Sequence, residues 1–459
     1  MHDVVIIGAG PGGYVAAIRA TQLGLKTCVI EKDKPGGVCL NWGCIPSKNL
    51  ISQAEVFLSQ AELKDMGLSI GTHKFSYSRV QKKSRQAVDR LVNGVGHLLN
   101  KNKVEVVQGT AHITSKNTVK LEDGSEIHGR HLIIATGSRP MQIPGFEFNE
   151  KQVLSSTGIL DLTSLPKSLI ILGGGAIGCE FAYVMNAFGV AVTVVEMLDH
   201  LLPFEDKEVV AVLEDEFRQK GIEVLTGTRA LSLKKTAKTV TVIVQGQDDK
   251  PQTLKAQKAL CVFGRTPNTD DIGLENIGVE TEKGYIPVGD FCQTRVKGVF
   301  AIGDVVATPL LAHVASKEGE IAVEYIAGKN PEPSVDLNAV PSAIYCEPQV
   351  ASFGLRENQA KAQGIAYQKA TFPYHGIGKA VAVDKVQGLI KILTDKGTDE
   401  ILGVHMVGHE ATELIHELLL AKVAELLPED ISAMIHAHPT LSELSVEGIR
   451  AITGRAIHI

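Results

Sequence analysis

Val4-Val5-Ile6-Ile7-Gly8-Ala9-Gly10-Pro11-Gly12-Gly13 runs an apolar segment straight into a glycine-rich one. Four consecutive β-branched residues suit a buried strand, and the Gly-x-Gly-x-x-Gly spacing suits a tight turn into a helix. The pattern returns further along, where Leu169-Ile170-Ile171-Leu172 leads into Gly173-Gly174-Gly175-Ala176-Ile177-Gly178. Each copy continues through a helical stretch to a second apolar strand, at residues 26–30 and 191–195, that ends in an acid, Glu31 or Glu196. Both acids stand at the same remove from the first glycine of their copy. One glycine-rich turn is weak evidence. Strand, glycines, helix, strand and acid in that order, twice, make the dinucleotide-binding fingerprint of a βαβ unit.

That fingerprint names candidate cofactor residues. Gly8, Gly10, Gly12 and Gly13 in the first copy, and Gly173, Gly175, Ile177 and Gly178 in the second, are placed to let a pyrophosphate approach a helix N-terminus. Glu31 and Glu196 are placed to accept from adenosine ribose hydroxyls. Glu196 is followed by Met197-Leu198-Asp199-His200, without the arginine pair that would accept a 2′-phosphate, which favours NAD over NADP. The copies also close alike, with Ile133-Ile134-Ala135-Thr136-Gly137-Ser138-Arg139-Pro140 and with Val262-Phe263-Gly264-Arg265-Thr266-Pro267. Thr136, Gly137, Gly264 and Arg265 at these strand ends join the candidate cofactor set. Extra residues in the first copy hold two apolar stripes at helical spacing, predicting two helices: Leu50, Ala54, Phe57, Leu58 and Ala61, then Val80, Ala87, Leu91, Val95 and Leu98.

Composition bounds the function class. The 459 residues suit about three domains. With 44% hydrophobic and 21% charged residues and a net charge of −6, neither a nucleic-acid footprint nor a polybasic membrane patch is expected. The chain has no long uncharged apolar run, and Met1-His2-Asp3 leads directly into the first strand, so no signal peptide or membrane span is expected and the location is expected to be cytoplasmic. Seven scattered cysteines do not suggest a secreted disulfide framework.

Two of the seven stand apart in Gly36-Gly37-Val38-Cys39-Leu40-Asn41-Trp42-Gly43-Cys44-Ile45-Pro46-Ser47-Lys48. Their spacing is not that of zinc ligands, and no metal site is expected. In an unbroken helix, residues five apart rise about 7.5 Å and point apart, too far for a disulfide. Cys39 and Cys44 are therefore two free thiols or, if Gly37, Gly43 and Pro46 distort the helix start, a labile pair suited to exchange.

This segment, behind a dinucleotide fingerprint, resembles the flavin disulfide reductases, and the similarity covers essentially the whole chain. Ile45-Pro46-Ser47-Lys48 is most similar to members that oxidise protein-bound dihydrolipoyl groups. The resemblance implies FAD on the first copy and NAD on the second, with Cys39–Cys44 as the redox disulfide. In it Cys39 exchanges with substrate and Cys44 lies against the flavin, while Lys48, paired with Glu180, sits near the flavin. Asp304, closing Thr294-Arg295-Val296-Lys297-Gly298-Val299-Phe300-Ala301-Ile302-Gly303-Asp304, matches the family's second FAD motif, and Ala312 and His313 begin a helix facing the flavin. In His436-Ala437-His438-Pro439-Thr440-Leu441-Ser442-Glu443, His438 matches the catalytic base and Glu443 the acid that orients it, with His436 as second candidate. Val38 and Trp42 depart from the family's usual Thr and Val.

The implied fold is α/β, with two Rossmann-like domains and a C-terminal α+β dimerisation domain. Its expected boundaries are 1–143 for FAD with the redox disulfide, 144–271 for NAD, 272–342 for a central segment completing the FAD site, and 343–459 for the interface. The implied assembly is a homodimer in which the base faces the partner's cysteines. Its expected partners are lipoylated acyltransferase subunits or the glycine cleavage H protein. Glutathione and mercuric reductases share the redox motif, but the NAD-type acid and the lack of a C-terminal cysteine pair favour the dihydrolipoyl reading over them. A flavin-binding subunit without turnover would be expected to lack the cysteines or the base, and both are present.

Overall fold

The computed structural model describes residues 1–68 and 75–458. The first fingerprint strand, His2–Ile7, is buried at the centre of a parallel sheet. Thr27–Glu31 and then Glu105–Gln108 lie on one side of it, and Glu126–Ile134 on the other. Val299–Ala301 returns from far along the chain to pair with Leu132, Ile133 and Ile134 of that last strand. A parallel sheet needs both faces covered, which the uninterrupted apolar runs Val4-Val5-Ile6-Ile7 and Val299-Phe300-Ala301 satisfy. Helix Pro11–Gln22 covers one face together with helix Ala312–Ile326. They meet backbone to backbone: a Cβ on Gly12 would lie 2.9 Å from the Ala315 carbonyl, and one on Gly319 would lie 2.7 Å from the Gly12 carbonyl.

The second fingerprint builds a separate parallel sheet in the order Glu223–Leu225, Ala191–Val195, Ser168–Leu172, Lys258–Cys261, Val153–Leu154. An antiparallel meander, Arg229–Lys235, Val240–Gln245 and Pro251–Ala256, leads to its fourth strand. Ser138–Pro140 and Arg265–Pro267, the closing segments of the two copies, pair with each other in a short antiparallel ladder. The chain therefore enters and leaves the second unit side by side.

Beyond residue 340 an antiparallel sheet runs Ser342–Ile344, Gln349–Gly354, Ile401–Gly408, Leu389–Asp395, Tyr367–Pro373. Helix Ala411–Val423 packs on its second and third strands, and helix Glu443–Ile452 on its last two. The architecture is the mixed α/β one expected, with a C-terminal α+β unit. Among the described residues no helix is long and apolar enough to cross a membrane.

The two predicted helices span Cys44–Asp65 and Tyr77–Lys101, but their stripes need correction. Leu50 and Ala54 are buried, whereas Leu58 and Ala61 are exposed because that half of the helix projects beyond the elements it packs on. In the second helix Leu91 and Leu98 are exposed, and the buried line is Ser84, Val88, Val95 and Leu99. Apolar spacing at about 3.6 residues admits two adjacent registers, and packing selects one of them.

Candidate active site

Cys39 and Cys44 form a disulfide with Cα atoms 4.8 Å apart. The unbroken helix that would have kept them apart does not exist. A six-residue helix, Gly37–Trp42, ends at Gly43 (φ −147°, ψ −110°), and a new helix starts at Cys44. The Asn41 amide holds the turn by donating to the carbonyls of Pro35 (3.2 Å) and Gly37 (2.9 Å). Gly36 and Gly37 take left-handed φ values of 92° and 56°, and a Cβ on Gly37 would lie 2.7 Å from the Gly10 Cα. The redox turn is thus laid directly against the first fingerprint loop. The other five cysteines are buried thiols.

One turn into the helix from Cys44, Lys48 donates to both oxygens of Glu180, at 2.8 and 2.9 Å. Glu180 lies on helix Ala176–Ala187 of the second unit and is buried. The same ammonium lies 4.5 Å from the centroid of the Tyr345 ring, whose backbone N–H donates to Glu180 at 3.3 Å. Three parts of the fold therefore converge on one cation.

The two fingerprint loops are near-replicas. Gly8 and Gly173 adopt φ of 103° and 114°, and a Cβ on either would strike the carbonyl of Ala135 or Val262 at the end of the neighbouring strand. Gly10 and Gly175 each cap a helix in extended conformation, with φ/ψ of −66°/−177° and −72°/−176°, and neither makes a side-chain capping bond. A Cβ on Gly13 or Gly178 would strike the carbonyl of Gly8 or Gly173. The carboxylate of Glu31 accepts from Ala9 N (2.7 Å) and Asp33 N (2.8 Å), and that of Glu196 from Gly174 N (2.6 Å) and Leu198 N (2.8 Å). Each acid is fixed by its own loop with lone pairs to spare. Uncapped helix starts beside open backbone, with nothing within 4 Å of a Cβ on Gly175, fit a dinucleotide pyrophosphate at both loops. Ile177 lies in the first turn of the second helix, partly buried.

Asp304 receives the Ser138 hydroxyl and lies 3.7 Å from the Arg265 guanidinium. Arg265 in turn donates to the hydroxyl (2.6 Å) and carbonyl (2.8 Å) of Ser138. Burial draws Arg265 below the usual arginine value against the opposing pull of Asp304. The Thr136 hydroxyl donates to the Asn268 carbonyl (2.7 Å), and Asn268 N donates to Gly137 (2.8 Å), while Gly264, at φ 135°, accepts from Met141 N at 3.0 Å. Thr136, Gly137, Gly264, Arg265 and Asp304 thus meet where the chain crosses between the two units. Ala312 opens its helix without a side-chain cap, and His313 turns its ring to the Pro341 carbonyl (2.9 Å); burial holds its imidazole below the usual value against the opposing effect of that bond.

At the other end of the chain the two histidine candidates separate. The side chain of His436 is buried and bonds Glu417 at 2.7 Å. The side chain of His438 is 74% exposed, and its Nδ1 bonds Glu443 at 3.0 Å, which leaves Nε2 open. Burial alone would raise the Glu443 carboxyl, but the Thr440 amide (2.9 Å) and His438 outweigh it and hold it below the usual range. Sequence reading passed over Tyr345, Ser138, Asn268 and Arg85, which reaches the redox turn. Ser138 stands in the closing segment of the first copy with nothing in the sequence to single it out, and no local motif marks the other three, because each acts across a long stretch of chain.

The family described as pyridine nucleotide-disulphide oxidoreductase matches residues 2–319, and its dimerisation domain matches residues 340–448. A dihydrolipoyl dehydrogenase of Bacillus subtilis is 44% identical over 100% of this chain and 99% of its own length. One from Rhizobium etli is 40% identical, again over 100% of this chain and 99% of its own length. Among solved structures, LpdA from Mycobacterium tuberculosis superposes with a TM-score of 0.89 at 28% identity, covering 97% of this chain and 98% of that one. The HOCl-induced flavoprotein disulfide reductase RclA from Escherichia coli gives 0.87 at 26% identity, covering 98% and 99%.

Proposed function

The chain belongs to the pyridine nucleotide-disulphide oxidoreductase family, and from that membership we propose how its residues divide the work. Its activity is that of a dihydrolipoyl dehydrogenase, with FAD and NAD⁺ as cofactors. The observation that carries the division is the Cys39–Cys44 disulfide at the head of the helix whose Lys48 grips Glu180.

His438 is the base. With Nδ1 held by Glu443, its Nε2 lone pair faces outward to take a proton from the substrate dithiol. The thiolate so formed attacks Cys39, and Cys44 leaves as a thiolate; the second substrate sulfur then displaces Cys39 and closes the substrate's own disulfide. Two electrons have entered the pair, and FAD and NAD⁺, when bound, carry them away as hydride chemistry. Gly8, Gly10, Gly12, Gly13, Glu31, Asp304 and the start of the Ala312 helix would hold FAD. Gly173, Gly175, Ile177, Gly178 and Glu196 would hold NAD⁺. Lys48 supplies positive charge where the electrons leave the disulfide.

The dimerisation-domain match supports a homodimer. Leu420, Val423, Met434 and Ile435, the last 95% exposed, offer apolar surface beside the His438 segment. We assign His438 to the partner subunit's disulfide, so that each site draws on both chains. We divide the chain at 1–143, 144–271, 272–342 and 343–459, a division that the separate sheets and the ladder between them support, although strand Ser342–Ile344 of the C-terminal sheet starts one residue before the last boundary. The substrate arm belongs to a lipoylated acyltransferase or the glycine cleavage H protein, and the compartment is the cytoplasm.

A steady-state comparison of dihydrolipoamide with NAD⁺ against glutathione disulfide with NADPH tests the reading. Turnover is expected with the first pair. Preference for NADP(H) would overturn the role of Glu196, whose carboxylate repels a 2′-phosphate.

A further inference from the structure

Arg85 touches the redox turn from a helix that carries none of the cofactor or redox motifs. It lies in Tyr77–Lys101, and its Nη1 donates 2.9 Å to the carbonyl of Asn41 while its guanidinium sits 5.1 Å from the centroid of the Trp42 ring. Both contacted residues lie between the two cysteines. Its Nε and Nη2 are buried with no hydrogen-bond partner among the described residues. Unsatisfied buried donors are costly, so an arginine kept in this position needs a compensating role.

The turn itself shows what that role is. A six-residue helix is marginal on its own, and while the disulfide is closed the covalent bond ties its end to the next helix. Once the bond opens, the side-chain hydrogen bonds that still hold this turn among the described residues are that of Asn41 on Pro35 and Gly37 and that of Arg85 from outside. Charge changes at the same moment. As a substrate dithiol closes to its disulfide, the Cys39–Cys44 bond takes up two electrons; one of the two substrate protons remains on a cysteine as a thiol and the other leaves with the base, so the turn gains one negative charge. A nearby fixed cation favours that state.

We propose that Arg85 is a positioning residue for the disulfide, clamping the Asn41–Trp42 turn so that the cysteines keep their register when the bond opens and favouring the reduced, anionic pair. The proposal rests on Cys39–Cys44 being the redox pair. Trp42 is the only tryptophan in the chain, so its fluorescence reports on this turn alone.

The experiment uses FAD-loaded enzyme with Arg85→Met and Arg85→Lys. The disulfide–dithiol equilibrium is measured against dihydrolipoamide and lipoamide, and acrylamide quenching of Trp42 is measured in both oxidation states. Arg85→Met is expected to disfavour the dithiol about tenfold, or about 30 mV, and to make Trp42 more quenchable on reduction only. Arg85→Lys, which keeps a cation but not the planar fork, is expected to restore the equilibrium and leave Trp42 exposed in the reduced state. Unchanged equilibrium and unchanged quenching in Arg85→Met would overturn the proposal. If that variant does not fold, reduced-state quenching in Arg85→Lys equal to the unmodified enzyme would overturn it. Failure of the underlying reading is separable: the unmodified enzyme, freed of reagent after treatment with dihydrolipoamide under anaerobic conditions, would then carry no more titratable thiols than before.

Discussion

The ammonium of Lys48 lies 2.8 and 2.9 Å from the two carboxylate oxygens of Glu180, across 132 positions of sequence. A helix that begins at a disulfide is thereby fastened to the helix that begins at the second fingerprint loop. The proposed role puts the cation beside the path of the electrons, and removing it would leave the buried Glu180 carboxylate without its ion-pair partner. Lys48→Met is expected to slow electron transfer from the dithiol by about 10²–10³. Glu180→Gln should slow it less, and the double variant should be no slower than Lys48→Met. Stopped-flow reduction checks this; effects that simply add would show that the two residues act independently.

The cysteine roles are separable by light absorption. If Cys44 is the sulfur that lies against the flavin, as proposed, Cys39→Ser should leave it as a thiolate there and keep or strengthen a long-wavelength thiolate-to-flavin band. Cys44→Ser should abolish it. The opposite pattern in the two purified proteins would invert the assignment.

His438→Gln removes the proton acceptor and should lower dithiol oxidation by about 10²–10⁴, while NADH oxidation by an artificial one-electron acceptor persists. Because Glu443 is held below the usual carboxylate range, its folded-state stabilisation is present above that range and is lost only as pH falls through the lowered value. The orienting carboxylate therefore stays charged at mildly acid pH, and Glu443→Gln should reduce the rate without creating a new acid limb near the ordinary carboxylate range. Assembly is tested with a co-expressed heterodimer of one Cys39→Ser chain and one His438→Gln chain. A site shared between subunits leaves one intact copy, so the doubly tagged species should be active. An inactive one would place base and cysteines in the same chain.

Stability has its own focus. Lys391 is 1% exposed and donates to both oxygens of Asp206 (2.9 and 3.0 Å) and to Glu357 (2.7 Å), joining the C-terminal sheet to the N-cap of helix Lys207–Gln219. Burial pushes Asp206 up, but the Lys391 ammonium outweighs it and holds it below the usual range, and Glu357 is held low against burial by Lys361 and then Lys391. Groups with lowered folded values stabilise above the ordinary carboxylate range and lose that contribution as pH falls through the lowered ones. Lys391→Met should cost about 3–5 kcal/mol at neutral pH, and its thermal midpoint should fall less steeply on acidification than that of the unmodified enzyme. Equal slopes would show that the network carries no pH-dependent stability.

Much of the fold was legible in short spans. Backbone turns that only glycine permits, at Gly8 and Gly173, and acids a fixed distance on, at Glu31 and Glu196, are local geometry, and local geometry is written in spacing. The redox turn was half legible. Two cysteines five apart were either free thiols or a distorted pair, and the break at Gly43 decided for the disulfide. Helical stripes were legible in kind but not in register, since Leu98 and Leu99 satisfy nearly the same periodicity and only one faces a neighbour.

By itself, then, the sequence determined two βαβ nucleotide units, their order and the place of the cysteine pair, because each of these depends on residues within a few turns of one another. The family resemblance pairs His438 with Glu443, but tertiary structure alone decided that His436 turns inward to Glu417, which packing dictates. It alone joined Ser138 to Asp304 and Arg265, and Arg85 to Asn41 and Trp42. Side chains that meet across tens or hundreds of residues leave no period in the chain, since nothing but the closing of the sheets and the packing of their helices brings them together.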